Sequence, residues 1–124
     1  MVLHHVQLTV SSLSEAKKFF LAALAPLGYK EYYTVEGVIV GLGANGVPDL
    51  WLGSVKGPDD SPSKLHLAFT AESREVVDQF YEAALKAGAK DNGAPGLRHY
   101  TPGYYAAYVV DLEGNNIEVV HVHA

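Results

Sequence analysis

Cysteine is absent from this chain of 124 residues. No disulfide can staple the fold and no thiolate can hold a metal, so any bound cation must take nitrogen and oxygen ligands from His, Asp or Glu. Basic residues are few, with nine Lys and Arg against fourteen Asp and Glu for a formal charge of −5. Without a basic cluster there is no electrostatic footprint for nucleic acid, and the acidic balance serves solubility. Long apolar runs are missing too. The longest, Phe19 to Leu27, contains Pro26, falls well short of a membrane span and lacks the basic front and cleavage site of a signal peptide. A cytoplasmic protein that contacts neither nucleic acid nor membrane is expected.

What is present is an ordinary globular composition, 48% hydrophobic and 19% charged, far from the signature of disorder. The length suits one domain with a real core. An internal repeat organises it. His5-Val-Gln-Leu-Thr9 matches His66-Leu-Ala-Phe-Thr70, and the same offset aligns Ser12 with Ser73, Phe19 with Phe80, Phe20 with Tyr81, and Ala22-Ala23-Leu24 with Ala83-Ala84-Leu85. Each half reads as a strand followed by a helix. The first helix has a capping-box start at Ser12 and Glu15, an apolar stripe of Leu13, Ala16, Phe20, Ala23 and Leu24, and a stop at Gly28. The second has Ser73 as cap, the stripe Val76, Val77, Phe80, Ala84 and Leu85, and a stop at Gly88.

Short β-type runs follow each helix: Tyr29–Val35, Val38–Leu42 and Asp49–Leu52, then Tyr104–Val110 and Asn116–Val122. Lys90 to Gly103, with Gly93, Pro95, Gly96, Pro102 and Gly103, reads mostly as a loop that could wall a pocket. Gly57-Pro-Asp-Asp-Ser-Pro62 reads as the linker. The expected organisation is one domain over residues 1–124, with a first module to about 57, a linker to about 63 and a second module from about 64.

Strand alternation puts His5 with Gln7 and Thr9, and His66 with Ala68 and Thr70, on the smaller and more polar face of each strand. Glu118 shares a face with Asn116, Val120 and Val122, where a buried carboxylate needs a partner. A lone strand histidine is more often a hydrogen-bonded core residue than a ligand, and Glu118 alone could pair with a basic side chain. Three such residues at related places in a duplicated chain point instead to a metal site. His4 is expected to pack under the first helix, His99 to sit in a loop, and His121 and His123 to lie near a fraying end.

His5-Val-Gln-Leu-Thr-Val with Phe19-Phe20, His66-Leu-Ala-Phe with Phe80-Tyr81 and Ala87-Gly88, and Tyr104 through Asp111-Leu-Glu-Gly-Asn115 to Glu118 resemble the vicinal oxygen chelate superfamily, the glyoxalase/bleomycin-resistance/dioxygenase group. Leu112 stands where the family's turn usually has proline. The resemblance implies an α+β fold in which two βαβββ modules form a curved mixed sheet around a metal and ligand cup. It also implies a divalent cation (Fe, Mn, Zn or Ni) on His5, His66 and Glu118. The fourth family ligand falls at Trp51, which has no lone pair to donate, so a lactoylglutathione lyase is disfavoured. Two histidines and a carboxylate suit a non-haem Fe(II) oxygenase or a Lewis-acid Mn or Zn enzyme.

Glu118 and Tyr104 are the catalytic candidates, and Trp51, Arg98, Tyr105 and Tyr108 are candidate substrate contacts, with Arg98 placed to meet an anionic group. The leading expectation is a lyase-like or dioxygenase-like metalloenzyme for a small molecule with vicinal oxygens. The alternative is a metal-free protein that sequesters a small molecule, as the bleomycin-resistance branch does. A homodimer is expected, its site either within one chain or shared between two.

Overall fold

In the computed structural model, residues 3–123 are described and form eight strands, two α-helices and a short 3-10 turn. Strand β1 (Val6–Val10) leads into helix α1 (Leu13–Ala23), the turn at Ala25–Leu27, and strands β2 (Lys30–Val35), β3 (Ile39–Gly43) and β4 (Leu50–Ser54). The second half repeats the order with β5 (His66–Thr70), α2 (Arg74–Lys86), β6 (Lys90–Arg98), β7 (Tyr104–Val110) and β8 (Asn116–Val122). Each module is a mixed sheet, β1-β4-β3-β2 and β5-β8-β7-β6 respectively, with its first and last strands parallel. This is the two-module α+β fold that the resemblance implies.

Local chemistry starts and stops the helices where the sequence indicates. Ser12 accepts from the Glu15 backbone N–H, and Ser73 does the same for Val76, each relieving one of the donors a helix start leaves unpaired. Gly28 and Gly88 take positive φ angles of 86° and 109° past the ends of the two helical segments, where a side chain would be strained. Ala16, Phe19, Phe20 and Ala23 of α1, which packs on β3 and β4, and Val77, Phe80 and Ala84 of α2, which packs on β6, β7 and β8, are buried in the core. Full burial of a phenylalanine contributes roughly 2 kcal/mol over leaving it exposed, so Phe19, Phe20 and Phe80 anchor the core.

The helices also pack on each other, and α2 touches the 3-10 turn, so one continuous core runs through both modules. Tyr29 meets Phe69 edge to face at 5.6 Å across the same junction. With the helices between them, the two sheets turn their other faces outward. They are not joined edge to edge into one cup within the chain. The outer edge of β1 is occupied instead by the linker, where Ser63 N–H donates to the Thr9 carbonyl and the Ser63 hydroxyl accepts from Thr9 N–H.

Lys90 to Arg98, read above as mostly loop, is β6, the edge strand of sheet two. Its register with β7 shifts between Asp91 and Gly93 and again between Gly93 and Gly96. Edge position and bulging explain how a strand can carry Gly93, Pro95 and Gly96, since an edge strand can spare the missing N–H of proline. Two histidines also differ from expectation. His4 is exposed beside His5 rather than under α1. His121 belongs to β8, with Nδ1 2.9 Å from the Ala71 carbonyl oxygen. No helix among the described residues is long and apolar enough to cross a membrane.

Candidate functional site

The turn before β8 sets the site. Asp111 Oδ1 accepts from the backbone N–H groups of Glu113 and Asn115, and Asn115 Nδ2 donates to Oδ2 at 3.0 Å. Gly114 supplies the positive φ of 91° that the turn requires. Asn115 Oδ1 then accepts from the Leu65 backbone N–H at 2.8 Å, which ties the turn to the residue before β5. With that register fixed, His66 pairs with Asn116 and Ala68 with Glu118, so His66 and Glu118 project from neighbouring strands onto the outward face.

There they meet. His66 Nε2 lies 2.8 Å from Glu118 Oε1, and the Tyr104 hydroxyl donates to Oε2. Glu118 is only 2% exposed, and both of its oxygens have partners, as burial of a carboxylate demands. Burial, followed by the hydrogen bond to Glu118, pushes the Tyr104 phenol up to about 12. Tyr104 therefore keeps its proton at neutral pH and acts as a donor. Tyr108 faces Glu118 across the β7–β8 ladder, and burial together with the carboxylate's charge raises its pKa also.

Arg98 lies with its Cζ 5.2 Å from the centre of the Tyr108 ring, and the His66 ring is 6.3 Å from the same ring. Arg98, Tyr108, His66, Glu118 and Tyr104 thus form one wall. Tyr100 joins them, its ring edge-on to Tyr104 at 5.1 Å, although it was not among the sequence candidates. Tyr100 lies in the loop between β6 and β7, so strand alternation could not have placed it there. Tyr105 does not belong to this wall. Strand alternation turns it to the helix side, where its hydroxyl donates to Asp78 Oδ1 at 2.7 Å and Arg74 stacks on its ring.

Module one holds the other two candidates. His5 lies one residue before β1 and is exposed, with its Nδ1 2.8 Å from that of His4. Trp51 sits over Gly41, where a Cβ would come within 2.8 Å of the indole, and meets Tyr33 at 5.6 Å. Because the helices separate the two outward faces, His5 does not join His66 and Glu118. Among the described residues no three His, Asp or Glu side chains are grouped so as to hold a metal. The pair His66 Nε2 and Glu118 Oε1 has the donor chemistry for two positions of a divalent-cation site. Among the described residues of one chain no third His, Asp or Glu joins them.

A family model described as the Glyoxalase/Bleomycin resistance protein/Dioxygenase superfamily matches residues 2–119. No curated protein matches the chain. A glyoxalase/bleomycin resistance protein from Albidiferax ferrireducens superimposes with a TM-score of 0.78 at 27% identity, covering 98% of both chains. A glyoxalase/bleomycin resistance protein/dioxygenase family enzyme from Burkholderia phytofirmans gives 0.75 at 21% identity, again over 98% of both chains. The fosfomycin resistance protein FosX of Listeria monocytogenes, a mutant complexed with Mn(II) and 1S,2S-dihydroxypropylphosphonic acid, gives 0.69 at 19% identity over 95% of this chain and 87% of its own. Two repeated modules of the right topology, a tied Asp-x-x-Gly-Asn turn and a family match over nearly every residue lead to one conclusion: the chain belongs to the glyoxalase/bleomycin resistance protein/dioxygenase superfamily.

Proposed function

We propose that the protein is a metal-dependent enzyme acting on a small molecule, with a site completed by a second copy of the chain. His66 and Glu118 of one copy and His5 of the other would hold the cation. The observation that carries this reading is the 2.8 Å approach of His66 Nε2 to Glu118 Oε1 on an outward face, two donors of ligating type with no third beside them among the described residues of their own chain. When bound, a divalent cation supplies Lewis-acid stabilisation of negative charge forming on a substrate oxygen. Tyr104 positions Glu118 through its hydroxyl and holds a proton beside the carboxylate. Tyr108 and Tyr100 extend the wall that would orient the substrate, and Trp51 of the second copy would close the opposite side.

The family relationship supports an enzyme, and FosX, a structural neighbour, was captured with Mn(II) and a phosphonate. A second reading has an observation of its own. Both oxygens of Glu118 are satisfied by protein groups, and no buried side-chain polar atom among the described residues is left unpaired. The carboxylate is therefore stable without a cation, as a metal-free binding protein would require. Elemental analysis of protein purified without added metal separates the two. About one divalent ion per site supports the enzyme; a blank supports the binder.

A further inference from the structure

Arg98 ends β6 on the outward face opposite Tyr104, yet its side chain does not simply extend into water. It turns back along its own strand, and two glycines make the room. A Cβ on Gly96 would lie 3.1 Å from Nη1, and one on Gly93 would lie 3.2 Å from Nη2. Nη2 donates to the Ala94 carbonyl at 2.8 Å, and Cζ sits 5.2 Å from the centre of the Tyr108 ring. The guanidinium is thus fixed by one hydrogen bond and one stacked ring.

That leaves most of its five N–H donors free. Among the described residues the close contacts of a basic side chain with a carboxylate are Lys17 with Glu31 and His66 with Glu118, so Arg98 has no carboxylate partner. The one carboxylate on this wall, Glu118, is buried and already occupied by His66 and Tyr104. A rigid, unneutralised guanidinium beside a flat aromatic face is preorganised for a planar oxyanion, which can accept from the fork in two places. In a chain of net charge −5, such a cation is not part of a general basic surface.

The geometry points to a carboxylate-binding subsite at Arg98: the ligand is a flat small carboxylate whose acid group pairs with the guanidinium and whose body lies along Tyr108 toward His66 and Glu118. This rests on the proposal that the outward face of module two is the working site, and it names the class of ligand that face takes. Gly93 and Gly96 act as positioning residues, since a Cβ at Gly96 would crowd Nη1 at 3.1 Å and one at Gly93 would crowd both the Tyr108 ring and Nη2, at 2.9 and 3.2 Å.

Benzoate and its neutral analogue benzamide test the subsite by isothermal titration calorimetry at fixed ionic strength, with metal content measured on the same samples. Benzoate is expected to bind about tenfold more tightly than benzamide, the worth of a charge-assisted pair. Arg98→Gln should level the two affinities without altering that for benzamide. Gly96→Ala keeps the charge and an ordinary backbone conformation but crowds Nη1 at 3.1 Å, and should weaken the preference for benzoate without abolishing it. Equal affinities in the unmodified protein, or a preference that survives Arg98→Gln, overturns the subsite. A carboxylate preference that depends on Arg98 in metal-free protein would retire the metal reading and keep this one; metal-loaded protein without the preference would do the reverse.

Discussion

Glu118 is held by two neighbours of different character, and their removal should be felt differently. Tyr104 has its pKa raised from 10.0 to about 12 by burial and by Glu118. Between those values the unfolded chain releases a phenolic proton that the folded chain retains, so the stability tied to this group is complete below pH 10 and is lost as pH rises toward 12. In Tyr104→Phe, unfolding free energies measured by urea titration between pH 10 and 12 should fall less steeply, by up to about one proton. An unchanged slope would remove Tyr104 from the Glu118 cluster. Asn115, 1% exposed, ties the turn to Leu65 and Asp111. Its replacement by alanine strands the Leu65 N–H and should cost about 2 kcal/mol in the same assay.

The elements show which sequence signals suffice and which are overridden. Both helices were legible because capping serines, apolar stripes and terminal glycines agreed with one another. β6 was not, since its glycines and proline have the same composition as a loop; pairing with β7 makes it a strand, and Gly93 and Gly96 then serve Arg98. Glycines elsewhere answer to close approach. A Cβ on Gly43 would fall 1.9 Å from the Val47 carbonyl oxygen, whereas one on Gly57 meets nothing within 4 Å. Gly43→Ala is therefore expected to destabilise the protein by about 3 kcal/mol, the upper range for overpacking against backbone. Gly57→Ala should leave its thermal midpoint within about 2 °C of the parent, a surface change of at most about 0.5 kcal/mol. Equal effects from the two would contradict the tight turn after β3.

For the whole molecule, the arrangement of the modules is the decisive feature. Their helices pack together and their sheets face apart, which leaves Tyr33, Val35, Tyr100 and Val122 exposed. A dimer that shares the site would bring the outward face of module one against that of module two from another chain. Mixing His5→Ala protein with Glu118→Ala protein tests this directly. In a shared arrangement the heterodimer carries one site with all three ligands and recovers about half of the parent's metal binding. A site confined to one chain would recover none, and a monomeric mass by sedimentation at working concentration would also end the shared-site proposal.

Much of this was written locally. The duplication, the capping signals and the Asp111–Asn115 turn are short-range patterns, and they determined the two-module fold. Strand alternation, also local, sorted the faces of β5 and β8 separately, and their long-range parallel register put His66 and Glu118 on the same one. Tertiary structure decided the rest. Whether the modules meet through their helices or along their strand edges depends on contacts between residues far apart in sequence, such as Tyr29 with Phe69 and Ser11 with Glu113. That choice separated His5 and Trp51 from Glu118. The same kind of long-range pairing, between β6 and β7, converted an apparent loop into the strand that carries Arg98, because a strand's hydrogen-bond partner lies on another segment and leaves no mark in its own composition.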